Sequence, residues 1–313
     1  MFNFILRRLL LIIVTLWAVS LIIFCITIVL PGDAAVMTLG MEATAEDLET
    51  LRHRLGIDRP KIIQYIDWVG GVLKGDLGMS IRYQKPIAPL LAMRVSNSLW
   101  LTGVGLLISI PIGLLFGIIG GLKPGRLIDH ILSGASLYFT AMPEFVTGAV
   151  LITLFSTKLG WFPPFSEVEP GMPLLDRLYN LFLPAVTLSL VIVAYTLRMM
   201  RASLIEVMQS MYIRAAKLKG LPWPTLLFRH ALPPALGPTI TVIALSIGWM
   251  IGGLVIVESM FGYPGLGRLL IYAIDNRDIP LIQAISLIVA CAYAFANLFA
   301  DIACKLIDSR IKD

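Results

Sequence analysis

Residues Tyr212–Pro233 read YIRAAKLKGLPWPTLLFRHALP, the basic, polar centre of an otherwise apolar chain. Arg214, Lys217, Lys219 and Arg229 fall in it, between two long runs without charge. The punctuation predicts two short helices folded on each other. Met211–Lys219 forms the first and ends at Gly220, since glycine accepts the left-handed C-terminal conformation. Pro222 and Pro224 suit the first turn of the second. Pro233 and Pro234 are expected to stop it and return the chain to an apolar run. Such a pair makes a compact knob on one membrane face. From the residues alone, a cytoplasmic loop held at the headgroups and a docking surface both fit.

The flanks fix the class. The chain has 313 residues, 58% apolar and 14% charged, with a mean hydropathy of +0.85. Soluble domains carry about a quarter charged residues, so this is an all-α polytopic membrane protein. The net charge of +5 fits basic loops rather than nucleic-acid binding, because no dense Lys/Arg cluster occurs. Cys25, Cys291 and Cys304 lie in or beside apolar runs and read as packing residues.

Six runs are long enough to cross a bilayer as helices. They are Leu9–Leu30, Leu99–Leu122, Ile131–Thr157, Leu178–Leu197, Leu236–Val257 and Leu281–Ala300. Only the third carries a charge, Glu144, which is expected mid-membrane on a continuous helix. The first follows Arg7 and Arg8 but lacks a small-residue cleavage site, so it reads as a retained span rather than a signal peptide. One side of the predicted topology holds Arg7, Arg8, Lys123, Arg126, the basic residues of 198–235, and Lys305, Arg310 and Lys312. The short loops opposite hold only Lys158, Arg177, Arg268 and Arg277. By the positive-inside rule, both termini and Tyr212–Pro233 are cytoplasmic, and the long 31–98 loop is outside. The domains are then 1–30, the first helix; 31–98, the outer loop; and 99–313, the transmembrane domain with its loop 198–235.

The outer loop predicts helices. Thr44 with Asp47 resembles a capping box, Leu48, Leu51 and Leu55 recur at helical spacing, and Gly56 closes the turn. Pro60 then starts a helix bearing Ile62, Ile63, Ile66 and Val69. A helical pair lying on the membrane surface and a dock for an extracytoplasmic partner both remain open. In the second span, Gly103, Gly105, Gly113, Gly117, Gly120 and Gly121 favour close helix packing over a hinge. In Glu258–Arg268, ESMFGYPGLGR, the residues Gly262, Pro264, Gly265 and Gly267 predict a re-entrant or tightly turned segment.

Several stretches together resemble the peptide/nickel branch of ABC importer permeases. The family's coupling motif spells Glu-Ala-Ala, three residues, Gly, nine residues, Ile, any residue, Leu-Pro. Ala215, Ala216, Gly220, Leu232 and Pro233 match it; Arg214 replaces the Glu and His230 the Ile. Leu30–Asp33, Leu55–Pro60, Gly75–Ser80, the Glu258, Phe261, Pro264, Gly265 and Gly267 signature, and the Asp308–Ile311 ending resemble the branch at corresponding places. The resemblance implies a type I permease fold with six transmembrane helices and a coupling helix between the fourth and fifth. It further implies a heterodimer with a homologous second permease, two cytoplasmic ATP-binding subunits that bind ATP and Mg, an extracytoplasmic substrate-binding protein, and the bacterial inner membrane. No cofactor is expected on this chain. Dipeptides, oligopeptides, glutathione, nickel complexes and opines are all compatible substrates.

No Gly-Lys pair occurs, so a phosphate-binding loop is excluded, as are the His-Glu-x-x-His and Gly-x-Ser-x-Gly patterns. The chain is expected not to be an enzyme. A self-contained secondary transporter is the competing function. That class places several ionisable groups at mid-membrane, and only Glu144 stands there, facing the translocation path or a subunit interface.

Overall fold

The structure is a computed structural model and describes residues 2–29, 44–55, 58–169 and 171–307. Leu30–Asp33, Gly56 and the Asp308–Ile311 ending lie outside the described residues. The elements are α1 (Phe2–Val29), α2 (Ala45–Leu55), α3 (Lys61–Leu73), α4 (Ile87–Leu122), α5 (Leu127–Ala141) and α6 (Glu144–Leu151). α6 runs into a π-helical turn, Ile152–Lys158. Then come α7 (Leu174–Gln209), α8 (Met211–Leu218), α9 (Trp223–Thr225), a second π-helical turn, Leu226–Ala231, α10 (Leu232–Met260), α11 (Leu266–Asp275) and α12 (Ile279–Ile307).

Among the described residues, five helices are long and apolar enough to cross a membrane: Phe4–Thr27, Ile87–Leu122, Leu174–Gln209, Trp223–Met260 and Ile279–Ile302. The sixth predicted run is not a rod. α5 and α6 meet at 109°, which corrects the expectation of a continuous Ile131–Thr157 helix. The cause is local. Proline disfavours helical geometry at the preceding residue, and Met142 is extended at φ −79°, ψ 127°. Pro143 itself caps α6 at φ −60°, ψ 140°. Hydropathy is blind to this break because both limbs are apolar.

Pro233 and Pro234 depart from expectation in the opposite sense. They do not stop the helix, since Trp223–Met260 is continuous. Lacking N–H groups, they leave the carbonyls of Arg229 and His230 without the usual donors. The chain accommodates this with the wider Leu226–Ala231 turn, in which Leu232 N–H reaches back to the Leu227 carbonyl.

The chain divides into two compact units, 1–98 with 264–294 and 99–263 with 295–313. In the first, Ile87, Leu91, Leu269, Ala273, Leu281, Ile282, Ala284 and Ile285 form the core. Asp278 is its polar hub. The buried carboxylate accepts from Ser80 Oγ, Ile81 N at 3.2 Å and Arg82 N at 3.1 Å. It also caps α12 through Leu281 N. The Gly75–Ser80 landmark thus ends in a loop held by a carboxylate some 200 positions away. The Thr44 half of the predicted capping box is formed: Thr44 Oγ1 accepts from the Asp47 N–H at 3.2 Å and donates to the Asp47 carboxylate.

In the second unit, α4 and α7 approach so closely that only glycine fits between them. A Cβ on Gly117 would meet Met200 Cβ at 2.6 Å and the Leu197 carbonyl at 2.9 Å, and one on Gly113 would meet Thr196 Cβ at 2.7 Å. Gly113 and Gly117 therefore serve packing, while Gly103 meets nothing within 4 Å. The core comprises Leu101, Leu181, Leu188, Met250, Val257, Phe261 and Tyr263, among others.

Candidate coupling hairpin and buried carboxylate

The hairpin is built as its residues dictate. Ser210 caps α8, its Oγ accepting from Ile213 N at 3.3 Å. Gly220 takes φ +75°, and its N–H donates to the Lys217 carbonyl at 3.0 Å while Leu221 N–H reaches the Ala216 carbonyl. This is the left-handed helix ending that glycine permits. Ile213, Ala216, Leu226, Leu227 and Ala231 bury their side chains against Met200, Leu204 and Ala235. Tyr212 and His230, one from each arm, are joined by a hydrogen bond between the phenol and Nδ1.

The arrangement leaves a face of unusual composition. Met211 is 75% exposed, Leu218 89% and Phe228 68%, beside exposed Arg214, Lys217, Lys219 and Arg229. Of the predicted coupling residues, Ala216 is buried, Leu232 half-buried, and Ala215, Gly220 and Pro233 exposed. The structure brings them together in one hairpin.

Glu144 opens α6 immediately after the Pro143 break, where the helix dipole favours a carboxylate. It lies over α10: a Cβ on Gly253 would stand 2.6 Å from Oε2 and 2.8 Å from Oε1. Oε2 is shielded from solvent and makes no hydrogen bond within the described residues. Glu144 is thus at a helix break, against a glycine, rather than partway along a straight span.

The signature divides between the two units. In the second, Glu258, Phe261 and Tyr263 are wholly buried. Tyr263 N donates to the Glu258 carbonyl at 2.8 Å, and the Phe261 carbonyl accepts from Ser166 N at 2.8 Å. Burial pushes the Tyr263 phenol up to about 12, against a hydrogen bond from Arg177 that lowers it. In the first unit, the Pro264 carbonyl accepts from Asn97 at 2.9 Å. Gly265 and Gly267 are buried, and Ser98 Oγ caps α11 at Leu266 N. The expected tight turn is present, followed by α11.

Sequence reading missed one charged pair. Asp129 of α5, 1% exposed, binds Arg201 of α7 through both Nε and a terminal nitrogen, the latter at 2.8 Å. It also accepts from Gly125 N at 2.8 Å. Asp129 is the lone acid in the first turn of a helix that follows Gly125, a capping pattern that could have marked it. Its partner, 72 positions on, could not be read from the chain.

The described residues thus form a helical chain with five or six candidate spans and a basic, partly apolar hairpin between two of them. Residues 109–313 match the family described as the binding-protein-dependent transport system inner membrane component. Residues 1–99 match the N-terminal region of the same system's membrane component. The chain belongs to this family and is an ABC importer permease of the peptide branch, a transporter subunit without an ATPase site of its own rather than a secondary transporter. It is 35% identical over 309 residues, covering 99% of each chain, to the "Probable peptide ABC transporter permease protein y4tP" of Sinorhizobium fredii. It is 33% identical over 312 residues to the "Glutathione transport system permease protein GsiC" of Escherichia coli K12, covering 100% of this chain and 99% of that protein. A solved structure titled "Crystal structure of an amino acid ABC transporter with histidines" superposes with a TM-score of 0.54 at 17% identity, covering 70% of this chain and 94% of that one. That likeness is one of fold.

Proposed function

We propose that this chain is one half of a heterodimeric permease that imports short peptides or related small solutes across the bacterial inner membrane. Its near end-to-end similarity to proteins named for peptide and glutathione transport supports that substrate class. A homologous second permease completes the path. An extracytoplasmic binding protein delivers substrate, and two cytoplasmic ATP-binding subunits carry ATP and Mg. Both termini and the hairpin are cytoplasmic in this reading, which the distribution of Lys and Arg supports.

In this reading the hairpin, with Ala215, Ala216, Gly220, Leu232 and Pro233, inserts into a groove of an ATPase and passes its motion to α7 and α10. Glu144 lines the translocation path or the permease interface, where a carboxylate avoids lipid. The Glu258, Phe261, Pro264, Gly265 and Gly267 segment faces outward. The observation that carries the coupling role is Gly220 at φ +75°, the pivot that folds two short arms into one exposed knob.

Gly220→Val tests it. A Cβ there meets nothing within 4 Å, so the substitution acts through the backbone, where a left-handed non-glycine residue costs roughly 1–2 kcal/mol. Uptake and co-purification of the ATPases should fall while the protein still reaches the membrane. Normal uptake with normal association would remove the coupling assignment.

A further inference from the structure

α3 carries three distinct faces. At about 100° per residue, Tyr65, Trp68 and Val72 share one face and Gln64 and Asp67 another. Ile62, Ile66, Val69 and Leu73 share a third, with Ile63 at its margin. The first face is occupied by α1. Tyr65 OH and Ser20 Oγ lie 2.9 Å apart, and the Phe24 ring packs on Tyr65 and Trp68 with centroids 5.3 and 6.1 Å away. The polar face carries an ion pair, Arg59 to Asp67 at 3.2 Å. Among the described residues, nothing packs over most of the apolar face: Ile62 is 74% exposed, Ile66 61% and Leu73 83%, while Val69 is half-buried.

The depth of the α1 contact identifies what covers that face. Phe4–Thr27 is the apolar span of α1, about 36 Å long at 1.5 Å per residue against a hydrocarbon layer of about 30 Å. Ser20 lies seven residues before Thr27, roughly 10 Å short of the span's end. A residue bonded to Ser20 is therefore at or below the hydrocarbon boundary. An aqueous face of isoleucines cannot be placed there, and a polar face beside it keeps the helix from crossing.

We propose that α3 is an interfacial helix embedded in the bilayer, its Ile62, Ile66 and Leu73 face covered by lipid acyl chains and its Asp67 face turned to the headgroups. The arrangement of one apolar arc beside one charged arc is that of helices lying in the membrane plane. Under the orientation proposed above this is the outer leaflet, so α3 is anchored in lipid rather than standing free for a protein partner. The lipid assignment itself depends only on the span of α1.

Collision electron paramagnetic resonance tests it. Cys25, Cys291 and Cys304 are replaced, and nitroxides are placed singly at Ile62→Cys, Ile66→Cys and Asp67→Cys. The complete importer is then reconstituted in phosphatidylethanolamine and phosphatidylglycerol liposomes. Oxygen concentrates in the bilayer, and a water-soluble nickel chelate does not enter it. The ratio of oxygen to chelate collisions should be several-fold higher at positions 62 and 66 than at 67. A chelate-dominated signal at 62 and 66 would put the face in water. Low collision with both reagents there would put it against protein. Either result overturns the proposal. Peptide uptake by the same vesicles reports the importer reading separately.

Discussion

Asp129→Asn removes one charge from a buried pair and leaves the shape of the site intact. The Asp129 side chain is 2% exposed and that of Arg201 30%. The carboxylate accepts from two Arg201 nitrogens, from Gly125 N and, at 3.4 Å, from Ser133 Oγ. Removing one partner of a buried pair costs about 3–5 kcal/mol, because the other charge is stranded. Arg201 retains access to water, so the lower end applies, about 3 kcal/mol. The double replacement Asp129→Leu with Arg201→Met strands no charge and should recover most of that loss. Reversible unfolding in mixed SDS micelles, followed by tryptophan fluorescence, measures the four corners of the cycle. Asp129→Asn within about 0.5 kcal/mol of the parent, the range of indifferent surface changes, would refute the reasoning. So would a double variant less stable than either single one.

Three further outcomes follow from the same geometry. Glu144→Gln should retain most uptake and Glu144→Leu should lose it; failure of both would mean the charge itself is needed, and full uptake by the leucine variant would end the buried polar role. Gly117→Ala places a methyl 2.6 Å from Met200 Cβ and should lower unfolding stability by about 1–3 kcal/mol, whereas Gly103→Ala, with nothing within 4 Å, should not. For topology, cysteines at Glu49 and Lys217 in a cysteine-free background, probed with an impermeant thiol reagent in intact cells, should label at 49 and not at 217; the reverse pattern would invert the orientation.

What the sequence made legible was local. The Thr44–Asp47 cap, the helix beginning after Pro60 and the left-handed Gly220 each depend on residues within a few positions, and each formed. Two proline readings failed in opposite directions. The expected continuous helix through Ile131–Thr157 breaks at Pro143, where Met142 is extended and the chain turns through 109°. Pro233 and Pro234 were treated as a stop, but a widened turn upstream absorbed their missing donors. Composition cannot separate these cases, because the answer depends on whether neighbouring helices hold the chain straight. Asp129 and Asp278 escaped notice for another reason: their partners lie 72 and about 196–198 positions away. Glu144 stands out in the chain as the lone charge in its apolar run, while its place over Gly253 depends on the fold.

The continuity of Trp223–Met260 has a mechanical meaning. Thirty-eight residues at 1.5 Å each make a shaft of roughly 57 Å, with the hairpin at one end and Glu258 near the other. A tilt of about 10° at the base sweeps the far tip through roughly 10 Å over that length. The wide turn at Leu226–Ala231 lies at the hairpin end of that shaft. Under the coupling role proposed above, small strokes delivered at the hairpin would be magnified into large excursions at the opposite surface.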